Sequence, residues 1–302
     1  MRMFQTFRYI DTVARVGSIR SAAEALSITS SALNRRILAF EEELGEPIFE
    51  RLPRGVRLNA AGEILINHIR NQIFDLERVR SQISDLTGIR RGNVNVACSQ
   101  ALVPYFLPRQ ISIYRDEHPG VTFGVYVRDR RTAEEALMDY SVDLALVFEP
   151  VRFADFQTIL RIKQPVHAVM RAGHPLASHK VLRLRDCAAW PLALPTAPYG
   201  VRALLEAGTE RSTLKALPSI ESDSFEFLRS FARVSSGIGL QIPIGLPTDS
   251  LDADLVHRPI DTRDIPAGMI YMGHLRGRTL PVAAARFVDQ LSNAFSENYE
   301  TD

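Results

Sequence analysis

The residues best equipped for chemistry in this sequence are a few small polar side chains and a set of arginines near the start. Ser30, Ser31, Asn34 and Arg35 stand on one side of a helical segment whose apolar residues Leu33, Ile37, Phe40 and Leu44 form the other side. Hydroxyls, an amide and a guanidinium on one exposed turn are the groups that hydrogen-bond base edges in a major groove and the phosphates beside it. Arg36 follows, and Arg51, Arg54 and Arg57 flank a Pro53-Arg54-Gly55 turn. Their forked guanidiniums suit charge-assisted contact with phosphate, or insertion into a minor groove. Ser18 and Arg20, at the start of the preceding helix, complete the candidate DNA contacts.

Three helices and a hairpin must position these groups. Phe4 to Val16 reads as a helix with Phe4, Phe7, Ile10, Val13 and Ala14 inward. Ser18 can cap a short second helix bearing Ala22, Ala23 and Leu26, and Thr29 can cap the third. Two helices joined that tightly cross steeply, as in a helix-turn-helix. Ile48 and Phe49 anchor a short strand, and the Pro-Arg-Gly turn returns the chain in a second strand, giving a wing. A helix-turn-helix pattern of small and apolar residues alone is more often ordinary packing. The wing, its arginines and the polar first turn together favour DNA.

This head resembles that of the LysR-type transcriptional regulators. The shared features are Ala22-Ala23 with Leu26, Leu33, Arg35, Ile37, the run Glu41-Glu42-Glu43-Leu44-Gly45, Phe49, Arg51, Arg54, Leu58 and Ala61-Gly62. The family often has Gln-Pro at the start of the recognition helix and Ser further along, where this chain has Ser30-Ser31 and Asn34. The resemblance implies an α/β protein with an N-terminal all-α winged helix-turn-helix head, a linker helix, and a two-lobed effector domain similar to periplasmic binding proteins. It also implies double-stranded DNA and a small-molecule effector as partners, and assembly as a homodimer or homotetramer.

Composition sets bounds on the rest. The 302 residues suit a small head and a larger body, and a net charge of +1 gives no overall attraction to polyanions. Residues 1–60 hold nine arginines against seven acidic residues, a local excess of two, and no lysine. Arginine-only usage favours directional phosphate contacts, although a GC-rich coding sequence produces the same bias. Cys98 and Cys187 are far apart and suggest neither zinc nor a disulfide framework. Cys98 ends a strand beside Ser99, where a small buried residue and a redox sensor are the two readings. No run of residues looks like a membrane span or secretion signal, so a cytoplasmic protein is expected.

Catalytic patterns are poor. The seven histidines show no metal-ligand spacing, there is no Gly-x-Ser-x-Gly elbow, and Ser235-Ser236-Gly237-Ile238-Gly239 lies between a helix and a strand, the reverse of a dinucleotide-binding loop. No enzyme activity, metal or cofactor is expected. The alternatives are a ligand-independent architectural DNA-binding protein and, further off, an α/β enzyme or carrier.

Beyond Gly62 one long helix is predicted. Leu65, Ile69, Gln72, Leu76, Val79, Ile83 and Leu86 alternate four and three residues apart, the spacing of a coiled-coil seam with one polar member. The seam can pair with a second copy or pack on the chain's own body. Residues 1–60 are thus expected to be the DNA-binding domain, 61–91 the dimerisation linker, and 92–302 the effector-binding domain. Within the last, lobe 1 takes about 92–163 and 267–302, and lobe 2 about 164–266. Alternating strands and helices there predict parallel sheets, with ligand bound at strand ends between the lobes. Candidate effector contacts are Ser99 and Gln100 after the first strand, Arg128 after the second, and Phe148 and Glu149 after the third. From lobe 2 come Tyr199, Gly200, Val201 and Arg202 at one helix start, and Ser224 and Phe225 at another. Arg128 and Arg202 suggest a carboxylate-bearing effector.

Overall fold

The computed structural model describes residues 2–86, 92–149, 155–197, 199–209, 217–246 and 254–301. The chain forms two compact units, Met1–Thr87 and Gly88–Asp302. The expected break in the linker at residues 88–91, and the side chain of Leu86, lie outside the described residues.

In the first unit, α1 (Arg2–Val16), α2 (Ile19–Ala25) and α3 (Ser30–Leu44) enclose a core of Phe7, Ile10, Val13, Ala22, Ala23, Leu33 and Ile37. The caps follow local chemistry. Ser18 accepts from the Ser21 N–H and Thr29 from the Ala32 N–H, each at 3.3 Å. Gly45 ends α3 with φ 84°, in the left-handed region. Leu44 leaves the expected stripe: it is 44% exposed, one residue before this cap.

Strands β1 (Phe49–Leu52) and β2 (Gly55–Leu58) pair antiparallel around a two-residue turn. Gly55 has φ 106°, and a Cβ there would lie 2.3 Å from the Gly17 carbonyl oxygen. That close approach lets Val56 N–H bond the same oxygen at 2.9 Å and seats the wing on the α1–α2 turn.

Helix α4 (Ala60–Leu86) corrects the expected seam. Ile69 is fully buried with Ile66 in the head core, and Leu65 and Ile73 pack against it. Ile69 therefore serves the chain's own head, and Leu65 borders it. Gln72 and Leu76 are half-buried, whereas Val79 and Ile83 are exposed.

The second unit has two five-stranded sheets. The first is ordered β4-β3-β5-β12-β6, from β3 (Gly92–Cys98), β4 (Val121–Val127), β5 (Leu144–Phe148), β6 (Phe156–Gln164) and β12 (Gly268–Leu275). The second is ordered β11-β7-β10-β8-β9, from β7 (His167–Arg171), β8 (Leu192–Pro195), β9 (Ile220–Ser222), β10 (Ile238–Gln241) and β11 (Leu255–Pro259). Both are mixed rather than parallel. Strand β12 runs antiparallel to β5 and β6, and β7 runs antiparallel to β10 and β11. The chain passes from the first sheet to the second between Gln164 and His167 and returns between Pro259 and Gly268, so the returning strands reverse direction.

Helices α5 (Phe106–Glu117) and α10 (Val282–Asn298) share the main core with β3 and β5, with Phe106 stacked on Phe295 at 4.3 Å. Helix α6 (Arg130–Met138) covers Ala97, Ala145 and Val147. In lobe 2, α7 (Leu184–Cys187), α8 (Gly200–Thr209) and α9 (Phe225–Val234) add Leu184, Val201, Leu205, Phe225 and Leu228 to that core.

Candidate DNA-binding face and effector cleft

The first turn of α3 displays Ser30, Ser31 and Arg35 to solvent, with Asn34 half-exposed among them. Ser31 lies 3.2 Å from the Thr29 hydroxyl, and Arg51 Nη2 reaches Asn34 Oδ1 at 3.4 Å, which links wing to helix. Arg35, Arg36 and Arg54 are exposed and make no ion pair among the described residues. Arg57 is paired with Glu50 across the hairpin, and Arg20 with Glu24 one helical turn on. The Ser18 hydroxyl already caps α2. The face therefore divides into three uncommitted cations, one arginine leaning on Asn34, and two whose charge is shared with a carboxylate. A phosphate contact by Arg20 or Arg57 must compete with that carboxylate.

In the second unit the expected cleft residues divide as well. Gln100 stands on a 3-10 turn, Gln100–Leu102, directly after β3 and Ser99. Its Nε2 donates to the Tyr199 hydroxyl at 3.0 Å and to the Asp223 carbonyl, and its Oε1 accepts from Phe225 N–H at 2.9 Å. Ser224 caps α9 by accepting from Phe227 N–H at 3.2 Å. Gln100, Tyr199, Ser224 and Phe225 thus converge. Ser99 makes no side-chain cap bond, so its hydroxyl is not spent on the turn. Arg128 N–H bonds the Cys98 carbonyl at 3.0 Å, which places Arg128 at the same strand ends. Its guanidinium lies 5.6 Å from the Tyr126 ring centre and pairs with no carboxylate among the described residues.

The other expected contacts are structural. Phe148 is buried and packs on Gly200, where an added Cβ would lie 2.7 Å from Phe148 Cδ1. Val201 is buried in the core. Glu149, at φ 51°, accepts Met269 N–H at 2.7 Å, so its carboxylate is spent on the start of the neighbouring strand β12. Arg202 bonds Glu206 at 2.7 Å and also Glu221, which neutralise it and hold its guanidinium in the charged form. Of the two cations suggested for a carboxylate, only Arg128 lacks a carboxylate partner among the described residues; its Nη1 donates to the Val127 carbonyl at 3.2 Å.

A second contact between the lobes was not evident in the sequence: Arg229 of α9 bonds the Tyr105 hydroxyl and lies 5.4 Å from that ring's centre. Cys98 resolves toward packing. It is buried, and burial pushes its thiol up to about 12, so the reactive thiolate is strongly disfavoured. Among the described residues there is no group of three or more histidine, cysteine or acidic side chains able to hold a metal, and no helix long and apolar enough to cross a membrane.

A winged helix-turn-helix with an arginine-rich face, joined to a two-lobed α/β unit, defines a DNA-binding regulator with a sensing body. Residues 4–63 match the bacterial regulatory helix-turn-helix protein model of the lysR family, and residues 88–296 match the LysR substrate binding domain. The chain belongs to the LysR family of transcriptional regulators. It is 25% identical over 289 residues to the HTH-type transcriptional activator CmpR of Synechocystis sp., covering 94% of this chain and 93% of CmpR. It is 26% identical to a RuBisCO operon transcriptional regulator of Allochromatium vinosum, covering 93% and 92% of the two chains. A full-length OxyR variant from Pseudomonas aeruginosa shares the fold, with a TM-score of 0.72 at 19% identity over 97% of this chain and 94% of that one.

Proposed function

We propose that this regulator reads its operator with Ser30, Ser31 and Asn34, and holds the DNA backbone chiefly with Arg35, Arg36, Arg51 and Arg54. The observation that carries this reading is the exposed first turn of α3 beside a wing whose Arg51 meets Asn34. Arg20, Arg57 and Ser18 take a lesser part, because each already has an intramolecular partner. The reading divides the chain into a DNA-binding head to about residue 60, a dimerisation helix to about 91, and an effector-binding domain from about 92; a compact unit that begins at Gly88 and a family match that begins at residue 88 support the last division.

A small molecule enters between the lobes near Ser99, Gln100, Arg128, Tyr199, Ser224 and Phe225, with Arg128 as partner for any acidic group. Its binding favours one closure of the lobes and so shifts the spacing of heads in a homodimer or homotetramer. The protein works in the cytoplasm without catalysis, cofactor or metal. Two experiments on the full-length protein test the proposal. Genomic footprinting should return discrete operators, and neighbouring genes should suggest metabolites that change the footprint. Uniform binding to all DNA, or a footprint that no metabolite changes, would refute the specific or ligand-responsive part respectively.

A further inference from the structure

Lobe 1 reaches into lobe 2 through the Gln100 side chain. A primary amide carries one acceptor oxygen and two donor hydrogens. Here the oxygen takes the Phe225 N–H, while the amide nitrogen serves the Tyr199 hydroxyl and the Asp223 carbonyl. Lobe 2 therefore presents a donor, an acceptor and a hydroxyl in one place, and the group that satisfies all three belongs to lobe 1. A carboxylate of the same size would turn a bare oxygen toward the Asp223 carbonyl, with no hydrogen between two acceptors.

A second observation comes from beneath α9. Phe225 and Arg229 line a cavity of about 10 Å³ together with Gln241. Gln241 is only 7% exposed, and its Oε1 has no hydrogen-bond partner among the described residues. Buried carbonyl oxygens are ordinarily met by a donor. Like the Asp223 carbonyl, this oxygen calls for an N–H or O–H. The cavity is large enough for about one water, which could supply that donor.

We propose that Gln100 is an internal ligand: its carboxamide fills a carboxamide-recognition site made by Tyr199, Asp223 and the start of α9, and a small molecule bearing a primary carboxamide must displace it to bind. This rests on the reading of the cleft as the effector site and adds the chemical group recognised there. Displacement frees the Gln100 arm and leaves the incoming amide with the same three partners.

The test uses the full-length chain, Gln100→Ala, and acetamide, which is the fragment that the substitution removes. The variant should melt about 2–4 °C below the parent, the shift expected for losing a small number of hydrogen bonds in a unit of this size. Acetamide should raise its melting temperature saturably, with little effect on the parent at the same concentration. Sodium acetate should not restore it, and Tyr199→Phe added to Gln100→Ala should weaken the acetamide response several-fold.

Equal acetamide shifts in parent and variant, or rescue by acetate, would overturn the proposal. Should Gln100→Ala fail to fold, Gln100→Glu keeps the volume and tests the same chemistry. It should melt below the parent at neutral pH, and a glutamate as stable as glutamine would overturn the amide assignment. A DNA footprint indifferent to every metabolite counts against the effector cleft, whereas the acetamide titration reports on the Gln100 site alone.

Discussion

Asp11 of α1 and Arg70 of α4 meet at 2.7 Å between Oδ1 and Nε, and both side chains are largely shielded from solvent. Asp11 also binds Arg15 at 2.9 Å, while Arg8 reaches Glu77 at 3.2 Å further along the same helix pair. These pairs flank the apolar contact made by Ile66 and Ile69 and fix how the long helix leaves the head. Asp11→Ala removes the carboxylate from a shielded guanidinium and should cost about 1–3 kcal/mol. Hydrogen exchange on the full-length protein should show faster amide exchange in both α1 and α4. Exchange confined to α1 would mean that Arg70 does not hold the second helix.

The burial of Ile69 makes a specific prediction about assembly. If the homo-oligomer forms along α4, the exposed residues Val79 and Ile83 contribute to it and Ile69 does not. Ile83→Asp should shift the sedimenting species toward monomer while the head keeps its helical signal. Ile69→Asp places a charge inside the head core and should reduce helicity and DNA binding before it alters assembly. An Ile83→Asp protein that remains fully oligomeric would move the interface off this stripe.

Local chemistry explains what could be read from the sequence. Ser18 and Thr29 announce two helix starts, and Leu33 and Ile37 give the buried side of α3, because caps and periodicity act within a few residues. Periodicity also finds the stripe from Leu65 to Ile83, but it does not say which neighbour covers it. Only tertiary packing shows that Ile69 faces the head. The cleft illustrates the same limit. Phe148, Gly200 and Val201 stand at element ends, where ligand sites occur, yet the close approach of Gly200 to Phe148 makes that place solid. Arg202 looks like a free cation until Glu221 is folded beside it. Asp223 acts through its main-chain carbonyl and Gln241 through an unmet oxygen, and neither leaves a mark in residue type or spacing. Mixed sheets are not legible in the sequence, because alternation of strands and helices does not encode the direction of a strand that arrives from the other lobe.

The division of the DNA-binding face into positioning and reading groups can be measured. Arg54→Ala should weaken binding to cognate and unrelated DNA alike and lower the slope of log affinity against log salt by about one. Asn34→Ala should leave that slope nearly unchanged and relax preference at one base pair, at about 1–3 kcal/mol. Arg51→Ala should do some of each, since its guanidinium lies 3.4 Å from Asn34 Oδ1. Titrations of cognate and scrambled duplexes at several salt concentrations decide the matter. A change in base preference with Arg54→Ala at constant salt slope would reverse its assigned role.

His167 and His257, on the adjacent strands β7 and β11, bring their Nδ1 atoms to 2.9 Å, an approach that accommodates one shared proton but not two. Burial first, then the charges of His257 and Arg258, lower His167 from its ordinary 6.5 to about 4. Burial and Arg258 lower His257 as well. With both folded-state values depressed, the unfolded chain binds more protons than the folded one below about pH 6.5. The pair's contribution is therefore complete above that pH and is lost as the pH falls from about 6.5 toward 4, by on the order of 1–3 kcal/mol. His257→Gln keeps a hydrogen-bonding side chain on β11 and removes one titrating group, so it should flatten the acid side of the stability profile between these values. Denaturant melts of the full-length protein from pH 7.5 to 4.5 provide the measurement. Parallel profiles for parent and variant would show that the acid sensitivity of this unit arises elsewhere.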